Sequence, residues 1–202
     1  MWMILLKKVD PRIKEVELRR DPVIIRVNKF DEDSAKDFKE QIISAHNTGQ
    51  EVIPIVIDSY GGQVYSLMAM ISAINSSHLP IATIVEGKAM SCGAVLLTFG
   101  ADGMRYMDPS STIMIHDVSS MSRGKVEEIK ADSAETERLN KTVYEMMATN
   151  CGKKKRYFLD LIHSKGHADW YIDSKEAKKH DLINSTKIPS FEVQVGVKFS
   201  LV

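Results

Sequence analysis

Three residues far apart in the chain, Ser91, His116 and Asp169, have the types that acyl transfer by a serine requires. Such chemistry needs a hydroxyl held at an exposed turn, a base within reach and donors for the oxyanion. Ser91 lies in Gly87-Lys88-Ala89-Met90-Ser91-Cys92-Gly93-Ala94, between an apolar strand-like run and an apolar helix-like run. At such an elbow the hydroxyl can face a cleft, and the helix N-terminus favours negative charge beside it. The backbone N–H of Cys92 would be one oxyanion donor. Gly62, where no side chain blocks the approach of a substrate, would be the second. Ser91 taken alone also reads as an ordinary helix N-cap.

His116 ends the apolar run Ile113-Met114-Ile115. A histidine at a strand's carboxyl end can act as a base in the neutral pH range, or can be a half-buried residue satisfied by backbone. Asp169 precedes Trp170-Tyr171-Ile172, where aromatic bulk can partly bury a carboxylate that holds a histidine in one tautomer. A plain loop or capping role is the commoner use of such an aspartate. Asp117 adjoins His116, but neighbours on a strand face opposite ways, so it is not expected to orient the ring. The other histidines, His46, His78, His163, His167 and His180, occupy polar or helix-end contexts without an HExxH pattern. No metal and no organic cofactor is expected.

The elements that must hold these residues alternate between strand and helix. Val23–Val27 reads as a strand, followed by a helix to about His46 with Asp31 and Asp33 as cap candidates. Val52–Ile57 is a continuous apolar run suited to a strand buried on both faces. Asp58-Ser59-Tyr60-Gly61-Gly62 reads as a turn, and Val64–Ile74 as a helix stopped by Pro80. Ile81–Val85 is the next strand, Gly87–Ser91 a turn and Cys92–Phe99 a helix. Met104–Met107 and Thr112–Ile115 read as short strands. The pattern predicts an α/β fold with a mainly parallel sheet, whose ligand sites gather beyond the carboxyl ends of the strands. Lys125–Asn150 is long, charged and free of Gly and Pro, with an apolar side: a surface helix or one projecting toward another subunit. Lys153–Ser164 and Asp173–His180 read as further helices, and Phe191–Val197 as an edge strand.

With 202 residues, the chain suits one domain. It carries 27 Lys plus Arg and 27 Asp plus Glu, so no global field calls for nucleic acid or an anionic membrane. Two cysteines make no disulfide framework, which fits a reducing compartment. The start of the chain reverses the order of a secretory signal, and no run approaches a membrane span. A cytoplasmic protein is expected.

Taken in order, these segments resemble the ClpP family of self-compartmentalising serine peptidases, over about Val52–Asn184. Ile57-Asp58-Ser59-Tyr60-Gly61-Gly62 looks like the family's Asn-Ser-Pro-Gly-Gly turn, with Asp58 and Tyr60 in place of its asparagine and proline. Gly87–Leu97 is similar to its nucleophile segment, with Cys92 where methionine is usual. Thr98–Arg105 matches a Thr-x-Gly-x-x-Gly-x-Arg pattern. Pro109–His116 resembles the segment leading to the catalytic histidine, and Asp169–Ile172 with Glu176-Ala177 and Leu182-Ile183 the segment holding the catalytic aspartate.

The resemblance implies a ClpP/crotonase-like fold of repeated ββα units with a projecting handle helix. It implies an N-terminal arm over 1–22, a head over 23–124 and 165–202, and a handle region over 125–164. It also implies Ser91 as nucleophile, His116 as base, Asp169 as its orienting group, and Gly62 and Cys92 as the oxyanion hole. The substrate would be polypeptide, cut inside a homo-oligomer of stacked rings, with an AAA+ unfoldase as partner. The family's glycine-rich strand after the histidine is curtailed in Asp117–Gly124, and Pro54 and Val56 stand where aromatic residues often form the ATPase docking pocket. Alternatives are an inactive ring subunit, a serine–lysine peptidase with Lys130 as base, and a crotonase-like acyl-CoA enzyme.

Overall fold

The computed structural model describes residues 21–190. The expected edge strand at 191–197 and nearly all of the arm expected over 1–22 lie outside these. Among the described residues, six strands form one sheet: β1 (Ile25–Val27), β2 (Ile53–Ser59), β3 (Ile81–Met90), β4 (Arg105–Met107), β5 (Thr112–Ile115) and β6 (Trp170–Ile172). The main order is β1-β2-β3-β5-β6, with β4 also on β3. Every pairing is parallel except β5 with β6. Six helices accompany them within the described residues: α1 (Glu32–His46), α2 (Val64–Asn75), α3 (Cys92–Leu97), α4 (Val126–Asn150), α5 (Tyr157–Ser164) and α6 (Ser174–Lys179).

The apolar runs become strands buried on both faces. Ile53, Ile55 and Ile57 of β2 are fully enclosed, as are Ile84 and Val85 of β3 to within 1 %. Each such side chain contributes roughly 1.5–3 kcal/mol of transfer free energy. The helix ends follow local chemistry. Asp31 Oδ1 accepts from the Ser34 N–H at 2.8 Å while Ser34 Oγ accepts from the Asp31 N–H at 2.9 Å, closing a capping box at the start of α1. Asp173 Oδ1 accepts from the Glu176 N–H at 2.8 Å to open α6.

Two local expectations are corrected. Gly87–Ser91 is not a turn after a short strand: β3 runs on to Met90. Its first part pairs with β4 at Thr83–Val85 and its second with β5 at Lys88–Met90, so the strand changes neighbour at Glu86-Gly87 instead of ending. Gly87 sits there at φ +83°, and a Cβ on it would come within 2.9 Å of Asp58 Oδ1. The helix expected from Lys153 begins only at Tyr157.

The long helix α4 divides in two. Its buried residues, Leu139, Val143, Tyr144, Met147 and Ala148, all fall in the second half. From Val126 to Ala134 every residue is exposed. The helix therefore docks by one end and leaves the other uncovered within the chain. No helix among the described residues is long and apolar enough to cross a membrane.

Candidate active site

Ser91 occupies the single residue between β3 and α3, with φ 54° and ψ −118°. For a residue with a Cβ, such a conformation costs on the order of 1–3 kcal/mol and persists only where its surroundings impose it. The Ser91 N–H donates to the Met114 carbonyl at 2.9 Å, tying the elbow to β5. The serine does not serve as a side-chain cap: its hydroxyl makes no capping hydrogen bond to α3. The helix N-cap reading of Ser91 therefore fails in its usual form.

The Gly61-Gly62 turn comes up against this elbow. A Cβ on Gly61, at φ +103°, would lie 2.7 Å from Ser91 Cβ and 3.2 Å from its Oγ. A Cβ on Gly62, at φ +151°, would lie 2.4 Å from the Phe30 carbonyl oxygen. Only glycine lets the two chains approach this closely. Cys92 is the first residue of α3, so its backbone N–H has no acceptor inside that helix. Its buried thiol donates to the Gly62 carbonyl at 3.3 Å, which joins the two residues expected to supply the oxyanion donors. Burial pushes that thiol's pKa up, against smaller opposing effects of the hydrogen bonds.

His116 follows the last residue of β5. Together with Ser91, Gly62 and Cys92 it lines a single cavity whose remaining wall is largely apolar, with Leu67, Val95, Val143 and Met147 contributing. Asp169 precedes β6, and its Oδ1 stands 3.9 Å from His116 Nδ1. That is ion-pair distance but longer than a hydrogen bond. Catalytic contacts commonly sit long in unliganded proteins and tighten on binding. Lys130, the alternative base, lies on the exposed half of α4 with Nζ 2.9 Å from Glu127 Oε1, and it does not line this cavity.

Asp117 makes no hydrogen bond to the His116 ring among the described residues, and its carboxylate is engaged elsewhere. Its Oδ1 accepts from Asn140 Nδ2 at 2.9 Å and from the Tyr144 hydroxyl at 3.2 Å, and its Oδ2 lies 2.6 Å from His167 Nδ1. Burial pushes the Asp117 carboxyl up, but the bonds from His167, Asn140 and Tyr144 together outweigh it and hold the group below the usual carboxylate range. The Tyr144 phenol is pushed well up, by burial first and by the Asp117 charge second. Sequence spacing gave no sign of this cluster, since its members are 23 to 50 residues from Asp117.

Comparison with known proteins gives the family. The family model described as Clp protease matches residues 13–187. Two curated relatives, each an ATP-dependent Clp protease proteolytic subunit from a strain of Bacteroides fragilis, are 28% identical over 173 residues. That alignment covers 85% of this chain and 81% or 76% of theirs. An ATP-dependent Clp protease proteolytic subunit 1 from Rhodopirellula baltica is 31% identical over 132 residues, 65% of this chain and 56% of its own. With the family model spanning most of its length, and with an α/β sheet carrying a strained serine elbow, the chain belongs to the Clp protease family.

Proposed function

We propose that this protein is a serine endopeptidase that hydrolyses peptide bonds of unfolded proteins or peptides within a homo-oligomeric chamber in the cytoplasm. One observation carries the reading: Ser91, strained at a strand-to-helix elbow and not used as a cap, shares a largely apolar cavity with His116. Ser91 Oγ attacks the scissile carbonyl as His116 takes its proton. The N–H groups of Gly62 and Cys92 stabilise the oxyanion. His116 then gives the proton to the leaving amine, and water repeats the sequence on the acyl-enzyme. Asp169 holds the imidazole and stabilises its charged form. The apolar wall keeps water from the forming oxyanion and strengthens the field of its donors.

Assembly is supported by the uncovered half of α4 and the segment before it. Met121 is 99% exposed, Val126 67% and Ile129 42%, an uneconomical display for a lone subunit. The relatives' names, "ATP-dependent" and "proteolytic subunit", support an ATP-driven partner that delivers substrate. The test is cleavage of a fluorescently labelled unfolded protein across a sizing column. Activity eluting with a large oligomer, and lost in Ser91→Ala, is the expected result. An oligomer of equal size with no Ser91-dependent cleavage would favour an inactive ring subunit.

A further inference from the structure

We propose that Asp117 and His167 act as a positioning latch for the loop that carries Asp169, an inference that rests on the triad reading above. Between Ile162 and Trp170 every residue is exposed, so no buried side chain anchors the stretch. Gly166 and His167 both have left-handed backbone, at φ +70° and +58°. Backbone bonds from Lys165, Gly166 and His167 tie the loop back to the end of α5, the last reaching the Ile162 carbonyl at 3.0 Å, and His167 Nδ1 meets Asp117 Oδ2 at 2.6 Å. Among the described residues, the contact with Asp117 is the only side-chain hydrogen bond reaching the loop from another element.

The other oxygen of Asp117 is fixed to α4 by Asn140 and Tyr144. Asn140 also accepts from the Val118 N–H at 2.9 Å, so it clamps the chain directly after His116. One carboxylate thus joins the strand end that bears His116, the docked half of α4 and the loop that bears Asp169. An ionised carboxylate only accepts, so His167 Nδ1 is the donor in this bond. The bond is charge-assisted and short, but the His167 side chain is 55% exposed. Solvent screening therefore limits its worth to overall stability, and its effect is geometric. Asp169 is itself 53% exposed and lies 3.9 Å from His116, and among the described residues no side-chain hydrogen bond holds its carboxylate in line. Loss of the latch frees the backbone two residues before it.

The experiment compares His167→Ala with His167→Asn, whose amide N–H can take the place of Nδ1–H. Both changes are on an exposed loop. Peptide hydrolysis, thermal midpoint and hydrogen exchange of the 163–169 segment are measured on the full chain. The latch predicts that His167→Ala lowers kcat about tenfold, as a misplaced orienting group does, with KM unchanged and the midpoint little changed. Exchange in 163–169 should rise, and His167→Asn should restore both. Unchanged kcat and exchange in His167→Ala would overturn the latch, as would His167→Asn falling as far as alanine. Wild-type protein that cleaves nothing overturns the triad reading and the catalytic role of the latch with it. In that case the exchange data still report separately whether the loop is held.

Discussion

His116 and Asp169 stand opposite each other across an antiparallel strand pair. The register of β5 with β6 sets Ile113 against Ile172, Met114 against Tyr171 and Ile115 against Trp170. One further step brings His116 to Asp169, on the same face of the sheet, at 3.9 Å between Nδ1 and Oδ1. The backbone ladder thus aims the carboxylate at the ring nitrogen remote from the proton-transfer job, while Trp170, 4% exposed, pins β6 into the core.

Asp169→Asn keeps the shape of this pair and removes its charge. It should lower kcat on the order of 10³–10⁴-fold, with KM little changed, because the imidazolium loses its partner only as it forms. Steady-state peptide hydrolysis reads this directly. A loss confined to KM would mean that Asp169 contacts substrate instead.

Gly61→Ala puts a methyl group 2.7 Å from Ser91 Cβ in a backbone region that disfavours it. We expect a fall in thermal stability of roughly 1–3 kcal/mol together with loss of peptide hydrolysis. Gly103→Ala is the control: it also has positive φ, at +77°, but nothing lies within 4 Å of its added Cβ. It should carry the backbone cost without the loss of activity.

Both cysteines are buried free thiols. Burial pushes Cys151 up to about 11 and Cys92 upward as well. Neither should react with a thiol reagent at neutral pH until the protein unfolds, as read by thiol titration with and without denaturant. The proposed role of Cys92 uses only its backbone N–H, so Cys92→Ala should retain hydrolysis.

Asp117 gives stability a specific pH dependence. Its folded carboxyl titrates below the ordinary value of 3.8, so the folded protein binds this proton less readily than the unfolded chain. The stabilisation is then complete above the unfolded value and is lost as pH falls through the lower folded one. The gap in melting temperature between wild type and Asp117→Asn should narrow as pH falls below about 4. A gap that widens on acidification would contradict this account.

The parts of this fold set by local pattern are legible in the sequence alone. The apolar run at Val52–Ile57 and the capped helices at Asp31 and Asp173 are strand and helix as expected, because their determinants lie within a few residues. The elbow at Ser91 was visible for the same reason. Gly87 misled, since a glycine with turn neighbours reads as a break. Whether it breaks depends on β5, which takes over pairing from β4 and lies more than 20 residues further on. The three-residue strand β6 is too short to show a period, and its partner is more than 50 residues away. The linkage of Asp117 to His167, Asn140 and Tyr144 is set wholly by tertiary packing. Alternation could not say which groups Asp117 meets.

The most direct measurement is covalent labelling by a fluorophosphonate, with the modified residue mapped by mass spectrometry in wild type, Ser91→Ala and His116→Ala. The account predicts one phosphonylated residue, Ser91, in wild type, and no adduct in either variant. An assembled, folded wild-type protein that takes up no probe, or one labelled equally well after His116→Ala, would contradict it.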